Sequence, residues 1–227
     1  VARAAEALPV VGETDLLLRA EGPYACGRGA VPWRRLALFV VVFGAFYGAV
    51  MGLSDARLRQ ALFSATKVPI LLGAATLVCL PNFYVVNTLL GLRDDFGAAC
   101  RAVFAAQATL AVTLAAFSPL TLVAYASSGD YDFAILFNGL AFAVGTVAGQ
   151  ATMQRHYRAL VLSNPRHRVG RLAWATLYVF VAIQLAWVLR PFIGHPGAPT
   201  EFFRKDAWSN AYVAVFEKVT GFLAGGY

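Results

Sequence analysis

Five stretches of this sequence run for 18 to 25 residues without a single formal charge: residues 36–53, 68–92, 102–126, 133–153 and 172–189. A helix rises about 1.5 Å per residue, so about 20 apolar residues cross the roughly 30 Å hydrocarbon core of a bilayer. Inside that core no water hydrogen-bonds the peptide groups, and each segment must satisfy its own. The runs are too long for barrel strands and lack their alternation, which leaves spanning helices. Composition agrees: 59% of residues are hydrophobic and 14% charged, with a mean hydropathy of +0.63, against about 45–50% and 25% in soluble domains. The expected fold class is all-α, a polytopic membrane bundle of five transmembrane helices over 34–190.

The net charge of +7 sits mostly between the apolar runs. Placing the N-terminus in the cytoplasm puts twelve Lys and Arg on the inner side and seven on the outer side, as the positive-inside rule favours. In this count Arg57, Arg59 and Lys67 belong to the first outer loop, and Lys67 flanks the second span. Nucleic acid is not an expected partner, because no basic-aromatic module lies between the spans. Residues 1–33 carry Arg3, Glu6, Glu13, Asp15, Arg19 and Glu21, which interrupt any apolar stretch and argue against a signal peptide. This segment shows no strong period and is expected along the cytoplasmic surface. In the outer tail, 191–227, Trp208, Tyr212, Val215, Val219 and Phe222 recur at alternating spacings of four and three from Asp206. That spacing predicts an amphipathic helix at the membrane interface or on the protein's own outer surface.

Small residues mark the expected helix contacts. Gly44, Gly48 and Gly52 lie four apart in the first span, and Ala141, Gly145 and Gly149 repeat the spacing in the fourth. Residues four apart share one helix face, so each set forms a groove that another backbone can approach closely. The partner helix is either in this chain or in another. The intramembrane amides Asn82, Asn87, Gln107 and Asn138 have two readings: interhelical glue, or the lining of a polar cavity. Pro81 before Asn82 suggests a kink or a break of the kind that lines transporter sites. Arg155, Arg158, Arg166, Arg168 and Arg171 form a basic loop, which anchors topology or docks an acidic partner or lipid headgroup.

The apolar runs contain no Asp, Glu or His, the groups that proton-coupled transport and haem ligation require at membrane depth. His156, His167 and His195 fall in the intervening loops, where they read as solvated or interfacial. Three cysteines without CxxC spacing, Cys26, Cys79 and Cys100, give neither a disulfide framework nor a zinc site. No P-loop, HExxH, GxSxG or dinucleotide turn occurs. No metal, cofactor or catalytic residue is therefore expected.

Five spans with an inner N-terminus and an outer C-terminus resemble the layout of Yip1-type membrane proteins over 34–189. The resemblance rests on layout alone and implies a membrane-organising role without catalysis. The chain also resembles bacterial multi-spanning proteins, and its Ala- and Arg-rich usage fits a GC-rich bacterium, so a bacterial inner membrane is the expected location. The leading expectation is a non-catalytic scaffold or accessory subunit, with the bilayer and other membrane subunits, or further copies of itself, as partners. The alternative is a transporter or channel for a neutral or lipid-like solute lined by the four amides. A third reading is an interfacial enzyme using His195, or Asp130 and Asp132.

Overall fold

A computed structural model describes residues 9–25, 32–54, 57–195, 197, 199–204 and 212–213. All regular structure among them is helical: α1 (Pro9–Arg19), α2 (Trp33–Met51), α3 (Leu58–Leu89), α4 (Phe96–Ser127), α5 (Tyr131–Ser163) and α6 (His167–Leu189), with short 3₁₀ turns at Gly22–Tyr24 and Arg93–Asp95. Helices α2 to α6 are long and apolar enough to cross a membrane, and they alternate up and down through short connections. The turn between α4 and α5 is residues 128–130, and that between α5 and α6 is 164–166.

The helices outrun their apolar stretches. Helix α3 begins ten residues before its uncharged run, and α5 continues ten residues beyond its own. At 32 residues, α3 is about 48 Å long, more than the hydrocarbon core requires. The basic loop expected between the fourth and fifth spans is thus mostly helix. Arg155 and Arg158 lie on the last turns of α5, and Arg168 and Arg171 on the first turns of α6. Pro69 and Pro81 both lie inside α3, which continues past them, so the expected break at Pro81-Asn82 is absent.

The helix ends follow from local chemistry. Asp130 caps α5, its carboxylate accepting from the backbone N–H groups of Asp132 and Phe133 at 3.2 and 3.3 Å, which satisfies two of the four donors a helix start leaves open. Gly91 ends α3 at φ +72°. Its N–H donates to Thr88 O and that of Leu92 to Asn87 O, a reverse turn that only glycine enters without a Cβ penalty.

Helix α4 is the centre of the bundle, packing broadly on α2 and α5, while α3 packs on α2 and α6. Eight of its seventeen buried residues are alanine, including Ala102, Ala105, Ala108 and Ala111, so neighbours approach it closely. One core joins α1, α2, α3, α4 and α5 around Leu36, Tyr47, Leu72 and Leu114. A second joins α3, α4, α5 and α6 around Cys79, Phe83, Tyr157 and Trp174. The lateral surface is apolar, with Leu77, Val123, Leu136, Val147 and Leu172 all more than half exposed. In water a continuous belt of this kind is a site of aggregation. In lipid it faces its natural solvent.

The N-terminal segment is more ordered than its weak period suggests. Helix α1 and the 3₁₀ turn after it rest on α2 and α4 through Leu17 and Tyr24. The Tyr24 hydroxyl donates to Glu13 at 2.6 Å, and Arg35 of α2 donates to the other carboxylate oxygen at 2.8 Å. Burial, with the Glu13 hydrogen bond and charge acting the same way, pushes the Tyr24 hydroxyl up to about 12. The expected C-terminal helix lies largely outside the described residues. Tyr212 and Val213 are helical, and the Tyr212 hydroxyl donates to Phe180 O of α6 at 2.7 Å.

Candidate functional site

The small-residue grooves are occupied by the chain's own helices. Gly48 lies directly against the Ser64 carbonyl of α3, and a Cβ on Gly52 would meet Ala61 Cα at 2.6 Å. Gly44 faces Pro69 at ordinary contact distance. On α5 the same device meets α4: a Cβ on Gly149 would sit 2.8 Å from Ala106 O, Gly145 faces Leu110 and Leu114, and Ala141 is fully buried.

The four amides do not form a cavity. Asn138 of α5 is 1% exposed. Its Oδ1 accepts from the Tyr47 hydroxyl of α2 at 2.8 Å, and its Nδ2 donates to the Tyr125 hydroxyl of α4 and to Ala134 O. Tyr125 in turn donates to Met51 O. One amide thus fastens three helices. Gln107 of α4 accepts from the Tyr178 hydroxyl of α6 at 2.9 Å. Asn87 donates to Phe83 O within its own helix, and Asn82 points outward, exposed. The threonine hydroxyls of the spans, Thr76, Thr113, Thr121 and Thr146, donate to carbonyls one turn back. Polar side chains in hydrocarbon take whatever partner is nearest: another helix of this chain for Asn138 and Gln107, and the backbone of their own helix for Asn87 and these threonines. Replacing Asn138 with Leu is expected to cost on the order of 1–2 kcal/mol, read as a lower unfolding midpoint in detergent. Combining it with Tyr47→Phe should add little, because both remove the same bond.

Two clusters of buried polar groups lie at opposite ends of the bundle. The sequence reading placed both in loops, and the helix extensions correct it. At the end holding α1, His167 is fully buried at the start of α6, its Nε2 3.2 Å from Asp95 Oδ2. His156 on α5 is 6% exposed, next to the equally buried Arg101 of α4. Arg101 donates to Ala25 O and Arg155 to Leu18 O, which pins the N-terminal segment. Arg166 donates to Leu90 O at 3.4 Å, covering a carbonyl at the end of α3. Arg158 and Arg168 remain exposed and Arg171 half-buried, none with a carboxylate partner among the described residues.

At the opposite end Gln60, Ser64 and Lys67 share one face of α3, at spacings of four and three. All three are at most 1% exposed. The segment after α6 folds over them. Lys67 Nζ donates to Pro191 O at 2.7 Å and faces the rings of Phe192 and Phe202 at 5.9 and 4.8 Å. Gln60 Nε2 donates to Pro191 O and Phe192 O at 3.1 and 2.9 Å, and the Ser64 hydroxyl donates to Phe192 O. A buried ammonium is costly unless its donors and charge are met. Here a carbonyl and two aromatic faces meet it, and no carboxylate does so among the described residues. Beside this plug lies a cavity of about 290 Å³ whose polar lining includes Gln60, His195, Glu201 and Arg204. The polar face Gln60, Ser64 and Lys67 was visible in the sequence as a period of four and three. It was missed because Lys67 sits at the edge of an apolar run and resembles an ordinary flanking charge.

The fold and its apolar lateral faces define an integral membrane protein of five spanning helices. No family model, curated protein or solved structure matches the chain.

Proposed function

We propose that this protein is a non-catalytic scaffold or accessory subunit of a membrane assembly, in the inner membrane of a bacterium, with the α1 end in the cytoplasm. The observation that carries this reading is the set of Arg158, Arg168 and Arg171 at the α5–α6 connection, without a carboxylate partner among the described residues, beside helices whose own polar groups bind one another. Of the amides that would line a solute path, Asn138 and Gln107 are instead used in joining α2, α4, α5 and α6, Asn87 bonds its own helix and Asn82 faces outward. Their arrangement supports a rigid platform over a transporter lined by Asn82, Asn87, Gln107 and Asn138. The patch suits an acidic segment of a neighbouring subunit lying at the inner surface. Each arginine there contributes about 1 kcal/mol toward an anionic surface.

The test is native mass spectrometry of the protein extracted in mild detergent. A partner of fixed stoichiometry is expected, and it should be lost when Arg158, Arg168 and Arg171 are all replaced by Gln. A stable monomer, or a complex indifferent to the triple substitution, contradicts the docking role.

A further inference from the structure

We propose that the cavity beside the Lys67 plug binds a small zwitterion, a primary ammonium held a few atoms from a phosphate or carboxylate. The cavity, about 290 Å³, is close to the lower end of the range for small-molecule sites, about 300 Å³. Its wall presents both signs of charge. Glu201 has no cationic partner among the described residues, and the Arg204 guanidinium makes one long contact, 3.5 Å to the Tyr131 hydroxyl. The two line one cavity three residues apart in sequence without forming an ion pair with each other. A ligand carrying the complementary pair satisfies both walls, its anion on Arg204 and its ammonium on Glu201.

The balance of charge selects the anion. The Lys67 ammonium lies over the ring of Phe202, two residues before Arg204, so among the described residues cations outnumber the Glu201 carboxylate here, which favours a phosphate or carboxylate over a second cation. The floor is rigid. Gln60 and Ser64 bind the Pro191 and Phe192 carbonyls, and Tyr131 packs edge-on against His195 at 4.8 Å. The surroundings are those of a headgroup layer: Trp187 stacks with Arg190, and Phe63, Phe202 and Phe203 cluster nearby. Aromatic rings and arginines together mark the membrane–water interface. The same chemistry is offered by an ethanolamine phospholipid headgroup and by a free amino acid or phosphoethanolamine. This site stands apart from the docking role, since it lies at the other end of the bundle and rests on different residues.

Titration calorimetry on the full chain in detergent tests the chemistry with O-phosphoethanolamine against inorganic phosphate. Phosphoethanolamine is expected to bind at least tenfold more tightly. Glu201→Gln should remove that preference while leaving phosphate binding in place, and Arg204→Gln should weaken both at least tenfold. Both residues are partly exposed, so an unchanged melting temperature would show that the variants fold. Equal affinity for the two ligands, or a preference that survives Glu201→Gln, overturns the proposal, as does absence of binding to either. Native mass spectrometry then separates the sources. Retention of ethanolamine phospholipid over choline phospholipid, abolished by Arg204→Gln, identifies the lipid headgroup. Zwitterion binding without lipid retention identifies the free ligand.

Discussion

Replacing Gly48 with Ala is expected to destabilise the bundle, and Gly48→Leu to prevent α2 from seating on α3, at a cost of about 3 kcal/mol or more. The added Cβ would overlap the Ser64 carbonyl and crowd Ala65 Cα at 3.0 Å. A helix backbone cannot yield as a flexible side chain would. Gly52→Ala should behave similarly, against Ala61. Gly73 and Gly139 are the controls, because a Cβ at either meets nothing within 4 Å. There Ala should be neutral or stabilising by up to about 1 kcal/mol, through helix propensity alone. Thermal unfolding followed by circular dichroism in detergent distinguishes the two classes of glycine. Equal effects at Gly48 and Gly139 would show that α2 and α3 do not meet along this seam.

Lys67→Glu is the second change with a large expected effect. A carboxylate at that position would face the Pro191 carbonyl and the negative faces of Phe192 and Phe202, and the Arg204 charge nearby would offset only part of that cost. Burying such a group costs about 3–5 kcal/mol. Lys67→Met should act differently. It keeps the apolar stem packed and removes the buried charge, a trade that is often neutral for global stability. The tether to Pro191 is lost all the same, so residues 190–204 should exchange amide hydrogen faster while the spans stay protected. Hydrogen exchange resolved by mass spectrometry separates these effects. Unchanged exchange over 190–204 in Lys67→Met would mean that the ammonium does not hold the segment down.

The spans were legible because hydrocarbon permits so few backbone solutions: 18 to 25 uncharged residues fix a helix almost regardless of which apolar residues they are. The glycine grooves were legible for a similar reason, since spacing by four fixes a face whatever the partner. Spacing did not identify that partner, which depends on the alanines and Ser64 brought opposite by the fold. The amides illustrate the same limit. Asn138 and Gln107 were recognised as polar groups needing partners, but Tyr47, Tyr125 and Tyr178 lie 13 to 91 residues away in sequence. Helix ends were the weakest part of the reading. Hydropathy marks where charge begins, whereas a helix ends where capping and turn chemistry allow, as at Gly91 and Asp130. That difference moved Lys67, His156 and His167 from expected loops into buried helical positions.

The most direct test of the membrane bundle is thiol labelling in native membranes, with Cys26, Cys79 and Cys100 first replaced by Ser. Single cysteines are then introduced at Leu77, Leu120, Leu140 and Ile183 on the lateral faces, and at Arg59 and Leu162 near helix ends. A membrane-impermeant maleimide should leave the first four unmodified while reaching the end positions from one side of the membrane or the other. Ready labelling at Leu77 or Leu140 in the folded protein would place those faces in water and contradict a five-helix spanning bundle.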